Sequence, residues 1–190
     1  MIKNIFAIHG AWSSSLSFTH LESRVRGNWQ MFSYDHSKEN IDQIIERANN
    51  EITESSIVIG HSLGGIVALN MDSNPLVRGI ITLASPLAGL EMNLLQIYLS
   101  QSNLLGQISS DSKIIRQTKQ HEYVKPVIHV IASKGYNPFI FERNDGVLPY
   151  KIQTGWTCGL KVEADANHYE ILQSFQTIDH INRFRRQLAS

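Results

Sequence analysis

A serine flanked by glycines follows a short apolar run in the first third of the chain. Residues 60–65 read Gly-His-Ser-Leu-Gly-Gly directly after Ile57, Val58 and Ile59, and an apolar helical pattern follows them. A strand that ends in Gly-x-Ser-x-Gly and opens into a helix is typical of a nucleophile elbow, the sharp turn that exposes a reactive serine. Glycines are required because side chains there would collide with the adjacent strand and helix. We therefore expect Ser62 to be a nucleophile, and an ordinary glycine-rich turn is the alternative interpretation.

A serine hydroxyl is a weak nucleophile that needs a base, and the base needs a carboxylate to orient it. In folds with a nucleophile elbow the chain order is Ser, then Asp or Glu, then His, each after a different strand. Asp145 follows the predicted strand 127–132, and His168 follows the predicted strand 159–164. Asp165 is an alternative acid, but it shares a loop with His168. The expected order therefore favours Asp145.

Attack on a carbonyl carbon creates a negatively charged oxygen, which is stabilised by donors already in place. One expected donor is the backbone N–H of Leu63, the residue after the nucleophile. The other should come from the loop after the first strand, which reads His-Gly-Ala-Trp over residues 9–12. Two separate loops are thus predicted to form an oxyanion hole.

Strand-like and helix-like patterns alternate along the chain, which predicts a parallel sheet with helices on both faces. The predicted strands are 2–8, 29–34, 57–59, 77–84, 127–132 and 159–164, and the predicted helices include 15–24, 40–52, 63–71 and 169–188. The alternation breaks at residues 87–123, which are rich in Leu, Ile, Met, Gln and Ser. The carboxyl ends of several strands are therefore expected to carry the candidate side chains.

The bulk properties limit the classes of function. At 190 residues the chain is expected to form a single domain, 1–190, with its own core. Lys plus Arg and Asp plus Glu both number 17, so the formal net charge is zero, which argues against nucleic acid or an anionic membrane as the main partner. Cys158 is the only cysteine, so no disulfide framework is expected. With no signal peptide or membrane-spanning run visible, we expect a cytoplasmic location.

Taken together, these motifs resemble those of the α/β-hydrolases, in particular small lipases and esterases of the minimal bacterial kind. The motifs that carry the resemblance are His9-Gly10, residues 60–65, Thr82 to Pro86, Asn144 to Val147 and His168. The resemblance covers nearly the whole chain and is weakest at 87–123. It implies a minimal α/β-hydrolase fold with about six mostly parallel strands and helices on both faces. It also implies that Ala11 is the second oxyanion donor, with Trp12 as a shift by one residue.

The function expected from the residues and the resemblance is that of a serine hydrolase. Ser62, His168 and Asp145 would form a triad that cleaves a carboxylic ester through an acyl-enzyme, without a cofactor or a metal ion. The expected partner is a small-molecule acyl ester. A thioesterase or an acyltransferase with the same triad is the alternative, and a non-catalytic binding protein on this scaffold is a third interpretation.

Residues 87–123 are predicted to form a lid-like or pocket-wall insertion. Their apolar side chains either cover the sheet or line a pocket for an acyl chain, and composition leaves both interpretations open. As pocket residues we predict Trp12, His61, Leu87 and Leu90. A second wall is predicted from the aromatic side chains Tyr136, Phe139 and Phe141.

Overall fold

A computed structural model describes residues 2–91, 103–156 and 158–188. Within these residues all six predicted strands form, and they make one sheet in the order β2-β1-β3-β4-β5-β6. Every neighbouring pair is parallel. The strands are β1 Asn4–Ile8, β2 Asn28–Phe32, β3 Ser56–His61, β4 Val77–Leu83, β5 Val127–Ala132 and β6 Leu160–Ala164.

The burial of each strand follows from its place in the sheet. The central strands β3 and β5 are buried at every residue, as expected for β-branched runs covered on both faces. The edge strands β2 and β6 are partly exposed. Apolar clusters lie on both sides of the sheet, and each takes alternate residues of the same strands.

Helices cover both faces of the sheet, as the alternating pattern predicts. They are α1 Thr19–Arg24, α2 Ile41–Glu51, α3 Leu63–Leu69, α4 Asn103–Gly106, α5 Lys113–Gln120, α6 Tyr150–Thr154 and α7 Phe175–Gln187. The amphipathic helix α2 begins with a capping box, in which the Asn40 side chain accepts from Gln43 N and the Gln43 side chain accepts from Asn40 N. It buries Ile41, Ile44 and Ala48 against one face of the sheet.

The last helix differs from the prediction of a continuous helix over 169–188. A separate 3-10 turn spans Glu170–Leu172, and α7 begins only at Phe175. The Asn167 side chain accepts hydrogen bonds from the backbone N–H groups of Tyr169 and Glu170, at 3.0 and 2.8 Å. These bonds close a turn of their own directly after β6, so the chain turns once before the helix begins.

The described part of the insertion, residues 87–91 and 103–123, packs against the main body. Leu87 and Leu104 are buried in the same apolar cluster as the residues of α2 and α3. Leu90 pairs with Ser109 in an isolated parallel bridge that joins the two described parts of the insertion. Residues 92–102, which the predicted lid includes, lie outside the described residues.

Because all the strands run in one direction, the loops that follow β1, β3, β5 and β6 meet at one edge of the sheet. These loops carry residues 9–12, Ser62, Asp145 and His168. The candidate site residues therefore lie at the carboxyl ends of the strands, as the sequence predicts. Within the described ranges, none of the helices combines the length and apolar character needed to cross a lipid bilayer.

Candidate active site

Ser62 lies on a sharp turn between β3 and α3. Its backbone has φ 52° and ψ −120°, a conformation that side chains disfavour. The turn is tight enough to exclude side chains beside it. A Cβ atom on Gly60 would lie 2.1 Å from the carbonyl oxygen of Gly64, and one on Gly65 would lie 1.9 Å from Ser85 Oγ. The geometry is that of a nucleophile elbow, with Leu63 at the first position of the helix.

His168 and Asp145 are bonded to each other in the interior. The distance between His168 Nδ1 and Asp145 Oδ2 is 2.7 Å, and both side chains are almost completely buried. The backbone N–H of His168 also donates to the carbonyl oxygen of Asp145, at 2.9 Å. The alternative acid, Asp165, lies 3.6 Å from Lys134 Nζ, and both of these side chains are exposed. His168 is therefore oriented by Asp145 through its Nδ1 atom, which leaves Nε2 for proton transfer.

The Asp145 carboxylate accepts four hydrogen bonds. Its Oδ1 atom accepts from the backbone N–H groups of Val147 and Leu148, at 2.9 and 2.6 Å. Its Oδ2 atom accepts from Gln153 Nε2 at 3.0 Å as well as from His168. Sequence reasoning did not identify Gln153, because a glutamine in a short helix belongs to no motif. Only the fold brings it to Asp145.

A cavity of about 370 Å³ opens beside Ser62. Its wall is mostly apolar and includes the candidate nucleophile, the candidate base and both candidate oxyanion residues. The lining residues are Ala11, Trp12, Ser13, His61, Ser62, Leu63, Pro86, Leu90, Leu105, Ile108, Val147, Leu148, His168 and Tyr169. The cavity size is within the range of small-molecule sites.

Three of the four predicted pocket residues line this cavity, namely Trp12, His61 and Leu90. The prediction for Leu87 is wrong. Its side chain is fully buried in the core, and the neighbouring Pro86 lines the cavity instead. Ala84 has a positive φ of 46°, and the turn that follows directs Leu87 towards the apolar cluster.

The predicted aromatic wall is also wrong. Tyr136, Phe139 and Phe141 are 83%, 73% and 101% exposed and are absent from the cavity lining. The turn that holds Asp145 reaches the cavity instead, through Val147 and Leu148. A wall from the insertion is provided by its residues Leu90, Leu105 and Ile108.

His61, the residue before Ser62, is hydrogen-bonded to the backbone of His168. Its Nε2 atom lies 2.8 Å from the carbonyl oxygen of His168, which can only accept, so this nitrogen carries the proton. Burial, together with the nearby ring of His168, lowers the pKa of His61 to about 3. The ring of His61 is therefore neutral at neutral pH.

The loop after β1 is anchored by His9 and Tyr34. Their rings stack with centroids 4.3 Å apart, and the Tyr34 hydroxyl donates to the His9 carbonyl oxygen at 3.0 Å. The backbone N–H of Tyr34 donates to His9 Nε2, at 3.3 Å, so His9 Nδ1 is the protonated nitrogen that donates to the Gly10 carbonyl oxygen. These contacts fix the backbone directly before Ala11.

In residues 2–91, 103–156 and 158–188, no group of three or more His, Cys, Asp or Glu side chains could hold a metal ion.

Solved structures with the same fold include several hydrolases. A lipase of Bacillus licheniformis in its mature form superposes with a TM-score of 0.71 at 14% identity, over 98% of this chain and 92% of that one. A thermophilic esterase gives a TM-score of 0.67 at 13% identity, over 97% and 90% of the two chains. A pyrethroid hydrolase of Sphingobium faniae gives 0.64 at 15% identity, over 98% of each chain. At these identities the likeness is one of fold.

Comparison of the sequence with individual curated proteins finds no match. Comparison with family profiles does find one. The profile of the PGAP1-like alpha/beta domain matches residues 30–143, which are more than half of the 190 residues. These residues include β3, the elbow at Ser62, β4 and β5. The chain therefore belongs to the family of PGAP1-like alpha/beta domains, within the α/β-hydrolase superfamily.

Proposed function

We propose that this protein is a serine hydrolase that cleaves carboxylic esters through an acyl-enzyme formed on Ser62. The observation that carries the proposal is the buried 2.7 Å contact between His168 Nδ1 and Asp145 Oδ2. The His168 side chain borders the same cavity as Ser62. A histidine held through Nδ1 has the tautomer that a general base needs, with a free electron pair on Nε2.

The first half of the reaction forms the acyl-enzyme. Ser62 Oγ attacks the ester carbonyl carbon while His168 Nε2 takes the hydroxyl proton, and Asp145 stabilises the resulting imidazolium. The negative charge on the carbonyl oxygen is stabilised by the backbone N–H groups of Leu63 and Ala11. Leu63 is well suited because the first N–H groups of a helix have no partner within it. His168 then gives its proton to the departing alkoxide, and the alcohol leaves.

The second half of the reaction releases the acid. His168 takes a proton from a water molecule, whose oxygen attacks the carbonyl carbon of the acyl-enzyme. Collapse of the second tetrahedral intermediate breaks the bond to Ser62 Oγ, which recovers its proton from His168. The free acid leaves, and the site returns to its starting state without a cofactor.

The substrate proposed is an acyl ester of moderate size. The cavity of about 370 Å³ is lined by Leu90, Leu105 and Ile108 on the side of the insertion, which are side chains suited to an alkyl chain. On this proposal, residues 1–190 form one domain, and the segment 87–123 provides the wall that selects the acyl group. The described residues of that segment support a pocket wall, since three of them contact the cavity.

A panel of p-nitrophenyl esters with acyl chains from acetate to laurate tests the proposal. We expect medium-chain esters to be cleaved at least as well as acetate, because the longer chain buries more apolar surface in the cavity. Ser62→Ala should reduce turnover to the background rate while the circular dichroism spectrum stays that of the parent. A profile that falls steadily from acetate would refute the apolar acyl wall, and full activity of Ser62→Ala would refute the nucleophile.

Further substrates and a covalent probe distinguish the alternative activities. Thioesters of matched chain length reveal a thioesterase, and product analysis with added alcohols reveals an acyltransferase. A fluorophosphonate probe separates all three enzymes from a non-catalytic binding protein, because it labels only an activated serine. Labelling of the parent with none of Ser62→Ala is the expected result.

A further inference from the structure

Gln153 is a fully buried polar side chain that the proposed mechanism does not use. It lies on the short helix α6 and reaches the carboxyl end of β5. Its Oε1 atom accepts from the backbone N–H of Ala132 at 3.0 Å, and its Nε2 atom donates to the Ala132 carbonyl oxygen at 3.2 Å. The second hydrogen on Nε2 goes to Asp145 Oδ2, at 3.0 Å. Since one end of the amide faces a donor and the other faces two acceptors, only one amide orientation satisfies all three bonds.

The contact from Gln153 differs in kind from the other bonds to Asp145. Oδ1 is held by Val147 N and Leu148 N, which belong to the same turn as Asp145 and move with it. Gln153 is bonded at the same time to Ala132, the last residue of β5. It therefore ties the carboxylate to the sheet, and thereby fixes the oxygen that His168 Nδ1 contacts.

We propose that Gln153 is a positioning residue, which holds Asp145 Oδ2 in place for His168 and shares its negative charge. The inference rests on the function proposed above and adds a residue to its machinery. Gln153 is absent from the cavity lining, so it acts through Asp145 and not on the substrate. Loss of its N–H donor leaves the carboxylate less restrained and more basic, which favours the imidazolium form of His168.

A purely structural role makes a different prediction. If Gln153 only satisfied the backbone groups of Ala132, its replacement would lower the free energy of unfolding, but the folded molecules would keep the parent's kcat and pH profile. A positioning role requires kcat to fall while KM stays nearly constant. It also requires the acidic limb of the kcat/KM profile, which reports the protonation of His168, to move to higher pH.

Two variants test the proposal. Gln153→Met keeps the length of the side chain and removes all three hydrogen bonds. Gln153→Leu removes the same three bonds with a shorter, branched side chain. Thr118→Val is the matched control, because Thr118 is another buried hydrogen-bonding side chain. Its partners are Ile114 O in α5 and Asn70 Nδ2 at the C-terminal end of α3, the end opposite Ser62.

We expect Gln153→Met to lower kcat by about 10- to 100-fold, by analogy with other residues that orient a functional group, and less than the about 10⁴-fold loss seen when an orienting aspartate is neutralised. KM should stay within about twofold, and the acidic limb should shift upward in Gln153→Met and Gln153→Leu. Thr118→Val should keep the parent's kcat and pH profile.

A readout without turnover completes the test. The proton between His168 Nδ1 and Asp145 Oδ2 should give a low-field ¹H resonance in the parent, which weakens or broadens in both Gln153 variants and persists in Thr118→Val. If the parent shows neither the resonance nor ester cleavage, the proposed function fails. If the parent shows both, and either folded Gln153 variant keeps the parent's kcat, pH profile and resonance, this inference alone is overturned. Should Gln153→Met fail to fold, Gln153→Leu decides the outcome.

Discussion

Ser62 adopts a backbone conformation that glycine tolerates and that residues with a side chain adopt only at a cost. Its φ of 52° with ψ of −120° falls in a region where a side chain costs about 1–3 kcal/mol. The cost persists because residues on both sides hold the turn. Its N–H donates to the Leu83 carbonyl oxygen at 2.8 Å, and its own carbonyl oxygen accepts from Gly65 N at 3.0 Å.

This strain predicts an unusual order of stability between two inactive variants. The free energy of unfolding of Ser62→Gly should be about 1 kcal/mol higher than that of Ser62→Ala, because glycine relieves the backbone strain and alanine retains it. Elsewhere in a protein, glycine is normally the less stable choice. Urea denaturation of both variants measures the difference. If alanine proves the more stable residue, the turn at Ser62 is not strained.

The proposed oxyanion donor from the first loop, the N–H of Ala11, is a backbone group, so only substitution by proline removes it. Ala11→Pro should lower kcat by about 10²–10³-fold, the usual effect of losing one oxyanion donor. Ala11→Ser keeps the N–H and controls for a change at this position. Thermal unfolding of both variants checks that the loop stays folded. Equal kcat values in the two variants would exclude Ala11 N–H from the oxyanion hole.

At the scale of elements, the elbow depends on how closely β3, α3 and the turn after β4 approach one another. A Cβ on Gly65 would overlap Ser85 Oγ and Cβ, at 1.9 and 2.7 Å, whereas one on Gly60 would overlap the backbone of Gly64. The two positions are tight for different reasons. A side chain can be trimmed by mutation, and a backbone carbonyl cannot.

This difference predicts which of two equivalent substitutions can be rescued. Gly65→Ala should destabilise the fold by about 1–3 kcal/mol through overpacking, and Ser85→Gly in the same chain should restore a large part of that loss. Gly60→Ala should be destabilised as well, with no gain from Ser85→Gly. Urea unfolding of the singles and doubles gives the two coupling energies. Equal coupling for both pairs would contradict the packing described here.

The inner strands could be predicted from the sequence because each is a short, mostly apolar run that is covered on both faces. Residues 57–59, for example, lie inside the observed strand Ser56–His61. The split of the last helix could not be predicted from apolar spacing, which continues across residues 169–174. It depends on the Asn167 side chain, which bonds two N–H groups at the start of that segment.

The parts of the site that follow from chain order could also be predicted from the sequence, as the contact between Asp145 and His168 illustrates. The parts that depend on the direction of a side chain could not. Leu87 and Pro86 are neighbours, and only the course of the chain after Ala84 decides which one faces the cavity. Gln153 was missed for a related reason, because its role depends on where α6 packs against β5.

For the molecule as a whole, two histidines are held neutral inside the protein. Burial lowers the pKa of His61 to about 3 and that of His129 to about 4. His129 lies in the middle of β5, with Nδ1 2.8 Å from Thr82 Oγ1 and Nε2 2.9 Å from the Cys158 carbonyl oxygen. In the unfolded chain both rings have the ordinary pKa of about 6.5. Below that pH the unfolded state therefore binds protons that the folded state excludes.

The sign of the resulting pH dependence follows from this difference in bound protons. The stability that the neutral rings provide is complete above about pH 6.5 and is lost as the pH falls towards the folded pKa values, so the free energy of unfolding should decrease on acidification. Each ring should contribute a loss of about 2 kcal/mol between pH 8 and pH 5. Urea unfolding at both pH values measures the total.

The variant His129→Gln isolates the contribution of the His129 ring to the loss of stability between pH 8 and pH 5. Glutamine does not titrate, so the loss of stability between pH 8 and pH 5 should be about 2 kcal/mol smaller than in the parent. Any defect from the lost contacts with Thr82 and Cys158 is present at both pH values and cancels in the difference. Equal losses in parent and variant would mean that His129 takes up its proton in the folded protein as readily as in the unfolded chain, which its burial in the central sheet argues against.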